Sequence, residues 1–239
     1  MEAAPSAAHP PLDFVRRNAL PFLSSSAALT VATFILALLW APTLSQGFSA
    51  PVAQRVFYLH FGPAITSYAA FTVAFAYSLL YLRKGDGDAD LIAAHSAALG
   101  LLFAAMTIAA GALWGAAEWG VAWRFEDARL DMYLVLLLTF IGYFALRRQL
   151  GSGAPRLAAL YAVAGYALVP LSYFSIYLWQ SLHPRVISPG GQGVGAGGAL
   201  VLSVSIAASL FLFFGLLGLR LAVSEVEARV ARLQREADV

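Results

Sequence analysis

Ala199-Leu200-Val201-Leu202-Ser203-Val204-Ser205-Ile206-Ala207-Ala208-Ser209-Leu210-Phe211-Leu212-Phe213-Phe214-Gly215-Leu216-Leu217-Gly218-Leu219 runs without one charged residue. About 20 such residues, wound as a helix rising about 1.5 Å each, cross the hydrocarbon core of a bilayer. Five stretches upstream share this character, at about 20–40, 61–82, 91–114, 130–146 and 157–179. Backbone groups in lipid must pair within their own segment, so runs of this length are helices. The period-2 alternation of a membrane barrel is absent. The expected fold is all-α and integral to the membrane, with six transmembrane helices and a Trp-rich loop between helices 3 and 4.

Composition agrees. Of 239 residues, 60% are hydrophobic and 12% charged, against about 45–50% and 25% in soluble domains. That excludes an ordinary soluble enzyme, a disordered chain and a nucleic-acid-binding domain. There are no cysteines, which removes disulfides, thiolate metal sites and redox pairs.

The net charge of +2 matters less than its placement. Arg16, Arg17, Arg83, Lys84, Arg147, Arg148, Arg156, Arg220, Arg229, Arg232 and Arg235 fall on the side of the N-terminus; Arg55, Arg124, Arg129 and Arg185 fall on the other. The positive-inside rule then puts both termini in the cytoplasm and the connections 41–60, 115–129 and 180–198 outside. The expected organisation is a cytoplasmic segment 1–19, a membrane domain 20–220 containing the Trp-rich segment 113–131, and a cytoplasmic amphipathic helix 221–239. The first span follows Arg16-Arg17, is too long for a signal-peptide core, and is expected to be retained. In the tail, Leu219, Val223, Val226, Val230, Leu233 and Ala237 keep one apolar face, as in a helix lying along the inner membrane surface.

The unusual chemistry lies in the middle outer connection, where Trp114, Trp119 and Trp123 crowd together with Gly115 and Gly120. Trp119 and Trp123, four apart, are expected on one helical face. Tryptophans at this depth form an aromatic belt at the lipid headgroups, or a flat apolar platform for a planar ligand. His60 stands where the second span begins and His183 follows the fifth, both at the level of the tryptophans. Each alone is a hydrogen-bonded structural residue. Together, two imidazoles from separate helices can take both axial positions of a haem iron. Arg55, Arg124, Arg129 and Arg185 suit the carboxylates of such a ligand; alternatively they pair with Glu118, Glu126, Asp127 and Asp131. His95 lies inside the third span among small residues, and His9 in a Pro/Ala-rich tail. Tyr166, Pro170, Tyr173 and Tyr177 line one side of the fifth span around a proline kink. The run Ser188–Gly193, Gly-rich on to Gly198, is expected to be flexible. No hydrolytic or nucleotide-binding motif is present.

The run Trp114-Gly115-x-x-x-Trp119-Gly120-x-x-Trp123, closing on Asp127-Ala128-Arg129-Leu130, resembles the WWD domain of haem-handling proteins. With six spans, Tyr58-Leu59-His60 before the second and Trp179-x-x-Leu182-His183 after the fifth, residues 20–220 resemble the CcmC family, haem exporter protein C of cytochrome c maturation. The resemblance implies haem b held non-covalently at the periplasmic face of a bacterial inner membrane. His60 and His183 would be its axial ligands, and Trp114, Trp119 and Trp123 would line it. Arg129 and Asp127 of the motif, with Arg55 and Arg185, complete the candidate set. The resemblance also implies hand-over to a CcmE-like haem chaperone beside the CcmA/CcmB ABC transporter and a small CcmD-like membrane protein. That is binding and transfer, not enzymatic catalysis. Ala122 and Phe125 stand where the family has tryptophans, Glu126 is inserted before Asp127, and Asp131 replaces a threonine. Two rivals remain at this level: an integral b-type cytochrome, which needs histidines within the bundle core, and a small-solute transporter, which needs polar groups at the membrane midplane.

Overall fold

The computed structural model describes residues 10–43, 48–151, 155–183 and 194–238. All regular structure among them is helical: α1 (Pro10–Arg17), α2 (Ala19–Ile35) closed by a π-turn (Leu36–Trp40), α3 (Val56–Lys84), α4 (Gly87–Trp119), α5 (Ala128–Leu150), α6 (Pro155–Gly165), α7 (Leu168–Leu178) and α8 (Gly195–Ala237). Six helices are long and apolar enough to cross a membrane, α6 and α7 together making the fifth. This is a multi-pass membrane protein.

Helix α3 is the hub. It forms a hairpin with α4 and also packs on α6 and α8, while α2 lies against α8. Phe71 of α3 stacks on Phe140 of α5 with ring centroids 3.9 Å apart, inside a core of Tyr68, Tyr133, Leu136 and Tyr143. Lipid tails are as apolar as leucine, so packing and interhelical hydrogen bonds hold such bundles together. Ser67 Oγ meets Tyr133 OH at 2.7 Å and Tyr68 OH meets Ser172 Oγ at 2.9 Å, tying α3 to α5 and α7. At the opposite end, Arg147 grips Asp90 through two 2.7 Å hydrogen bonds. His95 Nε2 lies 3.0 Å from Ser224 Oγ, joining α4 to α8.

The fifth span breaks where Pro170 requires it. Proline has no N–H for the Tyr166 carbonyl, which instead accepts from Val169 N at 2.9 Å, and the axis is interrupted between α6 and α7. Two expectations change. Gly195, Gly197 and Gly198 do not belong to a loop but form the first turn of α8; residues 188–193 lie outside the described residues, as does His9. The tail is not a separate helix along the membrane but the unbroken continuation of α8 to Ala237. No glycine or proline follows Gly218 to stop the helix, and Glu225 is tied to Arg16 of α1.

Candidate functional site

At one end of the bundle α3, α4, α5 and the segment after α7 border a partly open cavity lined by His60, Ala64, Thr107, Ile108, Gly111, Trp119, Ala122, Trp123, Arg129, Leu130, Tyr133 and His183. His60 is not in a connection; it lies one turn inside α3 and is buried. Its ring rests on the α4 backbone at Gly111, where a Cβ would come within 3.1 Å of Cε1. One turn on, a Cβ at Gly115 would meet the Trp119 indole at 3.1 Å. The absent side chains at 111 and 115 let both rings lie against the helix.

Helix α4 continues through Trp119 and ends at Gly120, whose φ of 74° is left-handed and favours glycine. Trp119 and Trp123 therefore do not share a helical face: the first is the last residue of the helix and the second lies beyond its stop. Nor do the indoles form a flat platform. Trp114 is 1% exposed, tilted 52° from Trp119 and packed edge-on against His183 at 87° and 5.7 Å. Trp119 and Trp123 line the cavity, and Trp114 backs one of its histidines.

The two imidazoles lie with ring centroids 6.2 Å apart and their planes tilted by 47°. Asp127 accounts for much of the geometry around His183. It is buried and caps α5 by accepting from Arg129 N and Leu130 N, a role suited to aspartate at this position. The same carboxylate accepts from Ser181 Oγ and from Leu182 N at 2.6 Å. It reaches the backbone beside His183, and it is not one of the residues lining the cavity.

Arg129 lines the cavity and donates from one guanidinium nitrogen to the carbonyls of Ser172 (2.6 Å) and Tyr173 (3.0 Å). Arg55 points elsewhere and donates to the Leu38 carbonyl at the end of the first span. Arg124 is exposed and is not among the lining residues, and Arg185 lies outside the described residues. The arginine–carboxylate network does not form among the described residues. Glu118 accepts instead from Ser49 N at 2.7 Å and Ala50 N at 2.9 Å, pinning the first outer connection.

Three cavity-lining nitrogens, His60 Nδ1, His183 Nδ1 and Trp123 Nε1, are buried without a hydrogen-bond partner among the described residues. Buried polar groups are nearly always satisfied, so three around one cavity fit an external ligand with acceptors or an electron-pair acceptor such as a metal. Burial, then the Arg129 charge, then His60, push the His183 imidazole well below the usual histidine range. It is neutral at pH 7, the form that binds metals.

Sequence reasoning did not single out Thr107, Gly111, Tyr133 or Ser181. Gly111 had a detectable signal, since it stands one helical turn before Gly115. Tyr133 did too, one turn after Arg129.

The fold and cavity define a polytopic membrane protein carrying a pair of neighbouring histidines in an aromatic-walled cavity. The family model described as Heme exporter protein C (CcmC) matches residues 6–236, and the chain belongs to that family. Heme exporter protein C of Bradyrhizobium diazoefficiens is 30% identical over 198 residues, covering 81% of this chain and 74% of the relative. The protein of that name from Paracoccus denitrificans is 26% identical over 231 residues, covering 93% and 94%. The one from Escherichia coli K12 is 34% identical over 136 residues, covering 55% and 54%.

Proposed function

We propose that the cavity binds haem b non-covalently between His60 and His183 at the periplasmic face of a bacterial inner membrane, and that the protein delivers it to a CcmE-like haem chaperone. Membership of the family places the chain in haem export and cytochrome c biogenesis, as a membrane component of haem handling. One observation carries the finer proposal. His60 and His183 come from separate segments to one cavity with ring centres 6.2 Å apart, where both imidazoles would hold the haem iron.

The remaining residues have matching tasks. Trp119 and Trp123 offer apolar walls to a macrocycle. Arg129, anchored through one nitrogen, keeps the rest of its guanidinium for a propionate. Trp114 and Asp127 act behind His183. The bound haem supplies an iron that accepts electron pairs from the two imidazoles; the protein supplies neutral ligands, an apolar enclosure and one cation. The bias of basic residues supports an orientation with residues 1–19 and 221–239 in the cytoplasm. As partners we propose the CcmA/CcmB ABC transporter and a CcmD-like subunit, besides the chaperone.

The test is a visible spectrum of the detergent-purified protein loaded with haem. The wild type should show a low-spin, bis-imidazole spectrum, and His60→Ala and His183→Ala should each lose it. Unchanged spectra in both variants, or normal loading of the chaperone by His183→Ala, would overturn the proposal.

A further inference from the structure

We infer that Ser181 is a positioning residue for His183: its hydroxyl, clamped by Asp127, holds the histidine's backbone against the cavity. The haem-binding role proposed above is presupposed.

His183 stands on a stretch without regular structure. Helix α7 ends at Leu178, and Trp179 turns extended. Beyond that point a side chain can keep a fixed place only if its backbone is fastened. Three polar contacts do so. Ser181 Oγ lies 2.9 and 3.0 Å from the two Asp127 oxygens. Leu182 N donates to Asp127 Oδ2 at 2.6 Å. His183 N donates to Ser181 Oγ at 3.0 Å.

The direction of these bonds assigns a task to the hydroxyl. A carboxylate only accepts and a backbone N–H only donates. The Ser181 oxygen gives its proton to Asp127 and accepts the His183 N–H at once, so it relays the anchor to the residue that carries the imidazole. Alanine does neither; threonine does both. Asp127 is itself buried and locked to Arg129 N and Leu130 N, so the reference point is the N-terminus of α5. Arg129, the cavity's cation, and His183 are thereby set from one carboxylate.

The full-length protein in detergent, titrated with haem, tests this through Ser181→Ala and Ser181→Thr. Ser181→Ala should bind haem about tenfold more weakly and shift from low-spin six-coordinate towards five-coordinate, with added imidazole restoring the low-spin spectrum. Ser181→Thr should behave as wild type. A Ser181→Ala spectrum and affinity equal to wild type would overturn the inference, as would a threonine variant as impaired as the alanine one. Should Ser181→Ala not fold, the threonine variant decides alone: a wild-type spectrum supports the relay and a five-coordinate one sinks it. Failure of the haem-binding role itself looks different, because the wild type would then lack the low-spin spectrum.

Discussion

The His60 ring and the backbone of Gly111 are in contact across the α3–α4 hairpin: a single added methyl at position 111 would stand 3.1 Å from Cε1 and 3.4 Å from Nδ1. His60 is buried and α3 is packed against α4, so the added methyl presses on the ring and leaves it only the cavity side to move into. Gly111→Ala should therefore turn the imidazole and weaken haem binding about tenfold while the bundle still folds. Gly87→Ala, where an added Cβ meets nothing within 4 Å, is the matched control. Haem titration of the two variants checks the difference; equal affinities would mean that the ring's seat on α4 is immaterial.

Arg129 faces the cavity with part of its guanidinium engaged by two carbonyls. Charge-assisted hydrogen bonds contribute about 1.5–3 kcal/mol, so Arg129→Ala should lower affinity for haem roughly 10- to 100-fold. Haem with both propionates esterified should bind wild type and variant alike. Competition titrations with the two ligands measure this, and a variant that loses both equally would assign Arg129 a purely structural part.

The His183 imidazole holds its proton less tightly in the folded protein than in the unfolded chain. Below the usual histidine value of about 6.5, the unfolded chain takes up a proton that the folded state refuses, and stability falls as pH falls. Above that range the residue is neutral in both states and contributes no slope. The loss should reach at most about 1.4 kcal/mol per pH unit and level off once the folded imidazole is also protonated. Thermal unfolding of the haem-free protein between pH 7 and pH 5 checks it: His183→Gln should show a shallower decline than wild type.

Arg147 and Asp90 close the opposite end of the bundle, their side chains 25% and 16% exposed. Removing one partner of a half-buried bidentate pair should destabilise by about 2 kcal/mol, less than for a fully buried pair. Asp90→Asn should lower the unfolding temperature in detergent and leave the spectrum of bound haem unchanged, since the cavity lies at the far ends of α4 and α5.

Much of this was legible in the chain. The six spans follow from apolar length alone, because nothing but a helix satisfies a backbone in lipid. His60, His183, Trp119, Trp123 and Arg129 do gather around one cavity, although they come from four separate segments. What escaped is tertiary. Trp114 carries the same motif as its neighbours, yet its register on α4 turns it inward behind His183. Asp127 reads as a ligand or an ion-pair partner; only the arrival of Ser181 and Leu182 from beyond α7 makes it a cap and a clamp. Arg55 has the right charge at the right depth, but the carbonyl of Leu38 at the end of the first span lies closer to hand. The stop at Gly120 was written in the sequence, though the helix-competent run before it hid where the connection begins.

Because the two imidazoles ride on α3 and on the stretch after α7, and the clamp that holds His183 caps α5, no single span or hairpin contains the cavity. A nascent polypeptide with three spans inserted presents His60 to an open groove, and the second imidazole arrives only when the fifth span has been threaded through the bilayer. Any cargo that needs both is refused until then. Under the proposed haem-binding role, insertion of the fifth span is thus the condition for capture, and the site is complete before the sixth span is in place.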